Sequence, residues 1–272
     1  MIMLVQSPFD ILAETYDADF TQSQIGKLQR KRVWKFLDAT LQTSDKPLKI
    51  LEINCGTGED AIRLAAMGHA VIATDASEIM IEKAQRKREL SNISGIQIEF
   101  IQSSFDELKQ SFNDEKFDLV FSNFGGINCI DKAGITKLSN DLFSITNPDG
   151  YLFLTVMSRF CLWEILYYAS KGKLSTAFRR QQKEVQFKVN GSSMPVYYYS
   201  PRDLKKLFQS KFKLVETHPA GLFIPPSYLE KQFSKRQQWL KRLNRWEERL
   251  GKYRMFSSLA DHYCIILKQD KQ

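Results

Sequence analysis

Cysteine is scarce and scattered. Cys55, Cys129, Cys161 and Cys264 are far apart and form no Cys-x-x-Cys pair. That spacing argues against a zinc-finger arrangement and a disulfide framework, and it fits a reduced, cytoplasmic setting. No run reaches the roughly 18–20 apolar residues that a membrane span needs. The opening MIMLVQSPFD lacks a basic start, a long apolar stretch and a small-residue cleavage site, so no signal peptide is expected. Histidine is rarer still, with three copies. No Ser-His-Asp set and no metal cluster can be read, and no metal is expected. Internal repeats and low-complexity tracts do not stand out.

What is present is an ordinary globular composition. The 272 residues are 43% hydrophobic and 26% charged, enough for one large domain or two modest ones without staples. The balance is basic, +8 overall. Between Pro226 and Lys252, eight basic residues (Lys231, Lys235, Arg236, Lys241, Arg242, Arg245, Arg249, Lys252) face three acids (Glu230, Glu247, Glu248), so this one segment carries +5. The remainder is nearly balanced, which argues against a molecule built throughout for nucleic acid.

Hydrophobic periodicity predicts alternating strands and helices from residue 48 onward. Strands are expected at 48–53, 69–75, 96–101, 117–123 and 151–157. Helices are expected between them, the last stopped by the NPDG sequence at 147–150. Such alternation implies a doubly wound α/β fold, Rossmann-like, with a mostly parallel sheet covered on both faces. Residues 9–41 read as helical, with Thr21 or Ser23 as a cap. Residues 160–181 also read as helical. Two extended runs then meet near Asn190-Gly191, a hairpin signal. A helix at 201–208, a sixth strand at 213–218, a long basic helix over 226–252 and a last strand at 262–268 complete the chain.

The expected organisation is an N-terminal helical cap at 1–45, a core at 46–158 and a lid at 159–200. Residues 201–272 would complete the sheet, with a basic helical insertion at 219–258. In open α/β sheets ligands bind outside the carboxyl ends of the strands. The lid and the basic insertion leave from that edge.

The stretch LEINCGTGEDA, residues 51–61, is the most informative. A strand ends, Gly56 and Gly58 allow a sharp turn and close approach, and a helix begins with free N–H groups. Asp75 closes the next strand, 17 positions after Gly58, where a carboxylate can accept from a ribose diol. Strand, glycine turn, helix, strand and acid make a nucleoside-binding unit. An NAD(P)-dependent short-chain dehydrogenase is one alternative: Gly56–Ala61 fits Gly-x-Gly-x-x-Ala, and Tyr167 and Lys171 form a Tyr-x-x-x-Lys pair. Against it, Glu52 suits a ligand with a cationic centre, and Glu59 and Asp60 would repel a pyrophosphate. The Tyr-Lys pair also falls in the irregular insertion.

LEINCGTGED, the acid in VIATDAS and the FDLVFSNFGGINC stretch resemble the nucleotide-binding half of class I S-adenosylmethionine-dependent methyltransferases, over about residues 48–158. FDILAETYDADF (9–20) resembles the cap that many small-molecule members place over the cofactor. The resemblance implies a seven-stranded sheet whose last strand is antiparallel, inserted between the fifth and sixth. It implies S-adenosylmethionine as cofactor, with Tyr16, Glu52, Asn54, Gly56, Thr57, Gly58, Asp75, Ala76, Met80, Ser103, Ser104, Phe105, Asn123 and Phe124 around it. Asn54 stands where the family commonly has glycine, so an amide side chain would pin the turn. Ser103 and Ser104 stand where many members have an acid.

Methyl transfer from a sulfonium is an in-line displacement in which alignment can dominate. Edge topology offers His262 as a base and Arg159 as an anchor for an anionic group, the two sharing one pocket. His218, which closes the sixth strand, is a weaker candidate. Phe20, Asn128, Trp163, Tyr197 and Tyr199 are the other expected substrate contacts, with Tyr197 and Tyr199 on one face of the hairpin. Nucleobase amino methyltransferases typically carry Asp/Asn-Pro-Pro-aromatic after the fourth strand. This chain has Ser122-Asn123-Phe124-Gly125. A small-molecule or peptide acceptor is therefore favoured, with an RNA or DNA methyltransferase as the alternative.

Overall fold

Strands form where apolar residues alternate between two buried faces. Ile50, Leu119, Phe121, Phe153 and Cys264 face one helical layer, with Val33, Leu37, Ala61 and Leu64. Their neighbours Leu51, Ile53, Val120, Leu152, Leu154 and Ile265 face the other, with Ile135, Leu138, Leu142, Leu204 and Phe208. This is the period-two geometry of a sheet covered on both sides. A computed structural model describes residues 7–91, 93–189 and 191–270. The strands are β1 (Lys49–Ile53), β2 (Ala70–Asp75), β3 (Ile98–Gln102), β4 (Phe117–Ser122), β5 (Thr146–Met157), β6 (Val185–Val189), β7 (Ser192–Val196), β8 (Phe212–Ala220) and β9 (His262–Gln269).

Seven strands form one sheet in the order β3-β2-β1-β4-β5-β9-β8. β1 to β5 are parallel, and β9 runs antiparallel between β5 and β8. The doubly wound fold with an antiparallel last strand is thus the one the sequence implies. Order reverses between β1 and β4, which opens a crevice at their carboxyl ends. Register pairs Met157 with His262, so the end of β5 and the start of β9 share that edge.

The additions are more broken than their periodicity suggests. The 9–41 stretch divides into a helix at Pro8–Ala13, a π-helical turn at Asp17–Thr21 and a long helix at Gln24–Leu41. Ser23 caps the last, its hydroxyl accepting from the Gly26 N–H at 3.0 Å. The 160–181 stretch divides into Leu162–Ala169, Leu174–Ala177 and a short 3-10 turn at Arg179–Gln181. The basic stretch is interrupted between helices Glu230–Phe233 and Gln237–Leu250. β6 and β7 pair as the expected hairpin; Asn190 of its turn lies outside the described residues. The hairpin packs against the Pro8–Ala13 helix, so cap and lid meet. Among the described residues, no helix is long and apolar enough to cross a membrane.

Candidate functional site

The turn after β1 is built from left-handed residues. Asn54, Gly56 and Gly58 have φ of 64°, 54° and 76°, a region glycine enters freely and asparagine tolerates. A Cβ on Gly58 would lie 2.8 Å from the Ala84 Cβ and 2.9 Å from the Phe100 ring, so the turn presses directly on the next unit. Asn54 takes the place of a glycine by bonding outward. Its Nδ2 donates to the Asn123 carbonyl at 2.8 Å, and its Oδ1 accepts from Ser122 Oγ at 2.5 Å. The turn is thereby tied to the end of β4.

Asp75 faces this turn from β2. One carboxylate oxygen accepts from the Gly56 N–H at 2.9 Å and the other from the Ser77 N–H at 3.0 Å. Burial pushes its carboxyl up, against those two hydrogen bonds. Met80 is buried just beyond, and Ala76 is exposed. Ser103 is buried after β3, while Ser104 gives both its N–H and hydroxyl to Glu107, each at 2.7 Å. Glu107 thus brings a carboxylate beside the position where an acid is otherwise missing. Phe105 packs against the core.

Under the turn lies a buried charged group. Glu52 is 1% exposed, and its Oε2 has no hydrogen-bond partner. Burial and the charges of Asp60 and Asp75 push its carboxyl well up, with Arg30 opposing. Arg30 pairs with Asp60, which also accepts from Trp34 Nε1 at 2.6 Å and Asn123 Nδ2 at 2.9 Å. Asp60 keeps the Arg30 guanidinium charged despite burial, yet Arg30 Nε is left without a partner. Asp60 therefore faces inward as a structural counterion.

The cap closes over this group. The Tyr16 ring is 3.7 Å from where a Gly56 Cβ would be, and burial pushes its hydroxyl up to about 12. Thr57 Oγ donates to Asp17 at 2.6 Å, and Lys87 bridges Asp17 and Glu59. Phe20 meets Phe124 edge-on at 4.6 Å, and Phe124 meets His262 at 5.5 Å. Arg30 lies over both phenyl rings.

His262 is therefore at the crevice edge, but Arg159 is not joined to it. Arg159 donates to the Gln181 carbonyl at 3.2 Å, and among the described residues no hydrogen bond or ion pair links it to His262. The guanidinium beside His262's neighbour belongs to Arg180, which the sequence reading missed. Arg180 is buried and bonds Asp261 Oδ1 at 2.7 Å, Glu164 Oε2 at 3.0 Å and the carbonyls of Ser158 and Asp261. Asp261 also contacts His262 Nδ1 at 3.2 Å and accepts from Gln29. Despite burial, His262 and Arg180 hold the Asp261 carboxyl well below its usual range.

Three expected substrate contacts have other partners. Tyr199 is a core residue, 3% exposed, its hydroxyl bonded to the Ile130 carbonyl. β7 ends at Val196, so strand alternation does not extend to it. The Trp163 indole donates to the Phe223 carbonyl and packs on Phe233, joining the lid to the basic insertion. The Asn128 amide is fully engaged by Met157 and Tyr197 backbone. Tyr197 remains half-buried, bonded to Glu184. His218 stacks on Phe36 at 4.0 Å and pairs with Glu216. Lys171 bonds the Tyr167 hydroxyl on the exposed side of the lid.

Residues 50–150 match the family model described as "Methyltransferase domain". Over those residues the chain carries a methyltransferase domain. The methyltransferase domain has relatives of different substrates. The demethylmenaquinone methyltransferase of Clavibacter sepedonicus is 27% identical over 154 residues, 57% of this chain and 58% of its own. The tRNA 5-carboxymethoxyuridine methyltransferase of Escherichia coli (strain K12) is 30% identical over 147 residues, 54% of each chain. The chain spans about half the length of the curated relatives it matches. In fold, the chain resembles magnesium protoporphyrin IX methyltransferase from Synechocystis PCC 6803, solved with bound SAH: TM-score 0.58, 15% identity, 96% of this chain and 94% of that one.

The buried group fits the family's cofactor. An α-amino acid end needs an anion for its ammonium and a cation for its carboxylate. Glu52 Oε2 and Arg30 Nε are a neighbouring acid and base, each with a buried atom left open. The carboxylate oxygens of Asp75 keep further lone pairs for a diol.

Proposed function

We propose that the protein transfers a methyl group from S-adenosylmethionine to a small molecule or peptide. The observation that carries this reading is the open acid–base pair of Glu52 and Arg30 beside the glycine turn and Asp75. When bound, the cofactor supplies an electrophilic methyl on a sulfonium. Glu52 would hold its ammonium and Arg30 its carboxylate, Asp75 would accept from its ribose hydroxyls, and the Gly56–Gly58 turn would lie beneath it. Phe124, Phe20 and Tyr16 shield the reacting end from water. His262, against Phe124, takes a proton if the nucleophile carries one. Arg180 and Asp261 position that histidine. Residues 1–45 act as the cap, 46–158 as the cofactor core, 159–200 as the lid and 201–272 as the completion of the sheet.

A second reading, methylation of RNA, is favoured by the tRNA methyltransferase relative and the basic 226–252 segment. The Asn123-Phe124-Gly125 sequence after β4 speaks for the first. Methyl-labelled S-adenosylmethionine, incubated with the protein and either metabolite extract or total tRNA, separates them. Label is expected in the extract. Label in tRNA alone would select the second reading, and label in neither would overturn both.

A further inference from the structure

The 226–252 segment is more basic outward than its composition states. Two of its three acids are turned inward. Glu247 accepts the N–H groups of residues 221–224 at 2.6–3.3 Å. Glu230 accepts those of Gln24 and Ile25 at 3.1 and 2.9 Å. Among the described residues, none of the eight basic side chains of this segment forms an ion pair within the protein. Their charge is offered to solvent with Glu248 alone opposing it.

The Gln237–Leu250 helix buries Leu240 and Glu247. Beside that seam runs an exposed row, Trp239, Arg242, Trp246 and Arg249, at spacings of three and four. The indoles are 57% and 50% exposed, a large apolar area for a helix otherwise so charged. Beyond the helix end Tyr253 and Met255 are exposed as well, Met255 at 78%. Across it lies the lid. Trp246 packs near Phe223 at 6.4 Å, the Phe223 carbonyl receives Trp163, and the Leu162 N–H donates to the Leu259 carbonyl at 2.9 Å. Leu162, Leu166 and Leu259 are all exposed. Basic helix and lid are thus joined through Phe223, the helix presenting exposed tryptophan and arginine and the lid exposed leucine.

We propose that this surface docks the protein on an anionic lipid bilayer, the helix lying in the interface. Tryptophan and tyrosine prefer the headgroup level, arginine and lysine pair with anionic headgroups, and leucine and methionine enter the acyl boundary. An RNA partner would satisfy the arginines and stack on the indoles, but it has no apolar phase to cover Leu166 and Met255. The proposal is independent of the reaction catalysed.

Cosedimentation with vesicles of phosphatidylcholine alone, and of equal parts phosphatidylcholine and phosphatidylglycerol, tests it. Binding is expected to the mixed vesicles only, with a blue shift of tryptophan emission. Trp239→Ala/Trp246→Ala and, separately, Arg242→Glu/Arg249→Glu should each lower partitioning about tenfold or more with unchanged circular dichroism. Failure to bind the mixed vesicles overturns the proposal. So does vesicle binding that the tryptophan pair leaves intact, and so does retention of total tRNA without vesicle binding.

Discussion

Asn54 occupies the space that a side chain at residue 126 would need. A Cβ on Gly126 would lie 2.3 Å from the Asn54 Cγ. The two residues belong to the turns after β1 and β4, the two strands that flank the crevice, and their contact fixes how closely those turns approach.

Gly126→Ala should therefore destabilise the protein by about 1–3 kcal/mol, the usual range for overpacking. Asn54→Gly in the same chain should return part of that loss, because the obstructing amide is gone. Urea titration of the two single variants and the double variant gives the coupling. Strict additivity would show that the clash is absorbed elsewhere.

Glu52→Gln should make the ligand-free protein more stable at neutral pH. The folded-state pKa of Glu52 lies above its unfolded value. The folded state therefore holds the proton more tightly, and stability falls as pH rises through that window. An amide removes this dependence. The same variant should weaken S-adenosylmethionine, since the ammonium loses its carboxylate. Melting temperatures with and without the cofactor check both signs.

Arg180→Met should cost about 3–5 kcal/mol, because buried Asp261 loses the guanidinium bonded to it and Glu164 is left with Arg179 as its one paired cation. The acid dependence tells the pair from simple packing. The folded-state pKa of Asp261 is depressed, so its contribution is present above its unfolded pKa and is lost as pH falls toward its folded one. Denaturation measured from neutrality to below about pH 4 should show a shallower acid decline in Asp261→Asn than in the parent chain.

The sheet and the glycine turn were legible because their signals are local. Gly56, Gly58 and Asp75 sit within one strand–helix–strand unit, and two-sided burial marks β1, β4 and β5. The Glu164–Arg180–Asp261 group was not legible. Its members are up to 97 positions apart in sequence, and each reads alone as a solvated charge. Arg30 was hidden the same way, on a helix whose apolar stripe gave no reason to single it out. Tyr199 was misplaced because its alternation was extended past the end of β7. No proline or glycine marks the break between Phe233 and Gln237, so the basic stretch read as one helix.

The central claim is that S-adenosylmethionine binds through the 52–58 turn and Asp75, and calorimetric titration of the full chain tests it most directly. S-adenosylmethionine should bind, NAD should give no comparable heat, and Asp75→Ala should weaken the cofactor at least about tenfold, as charge-assisted hydrogen bonds of roughly 1.5–3 kcal/mol are lost. Unchanged affinity in Asp75→Ala, or NAD binding in place of S-adenosylmethionine, would contradict the account.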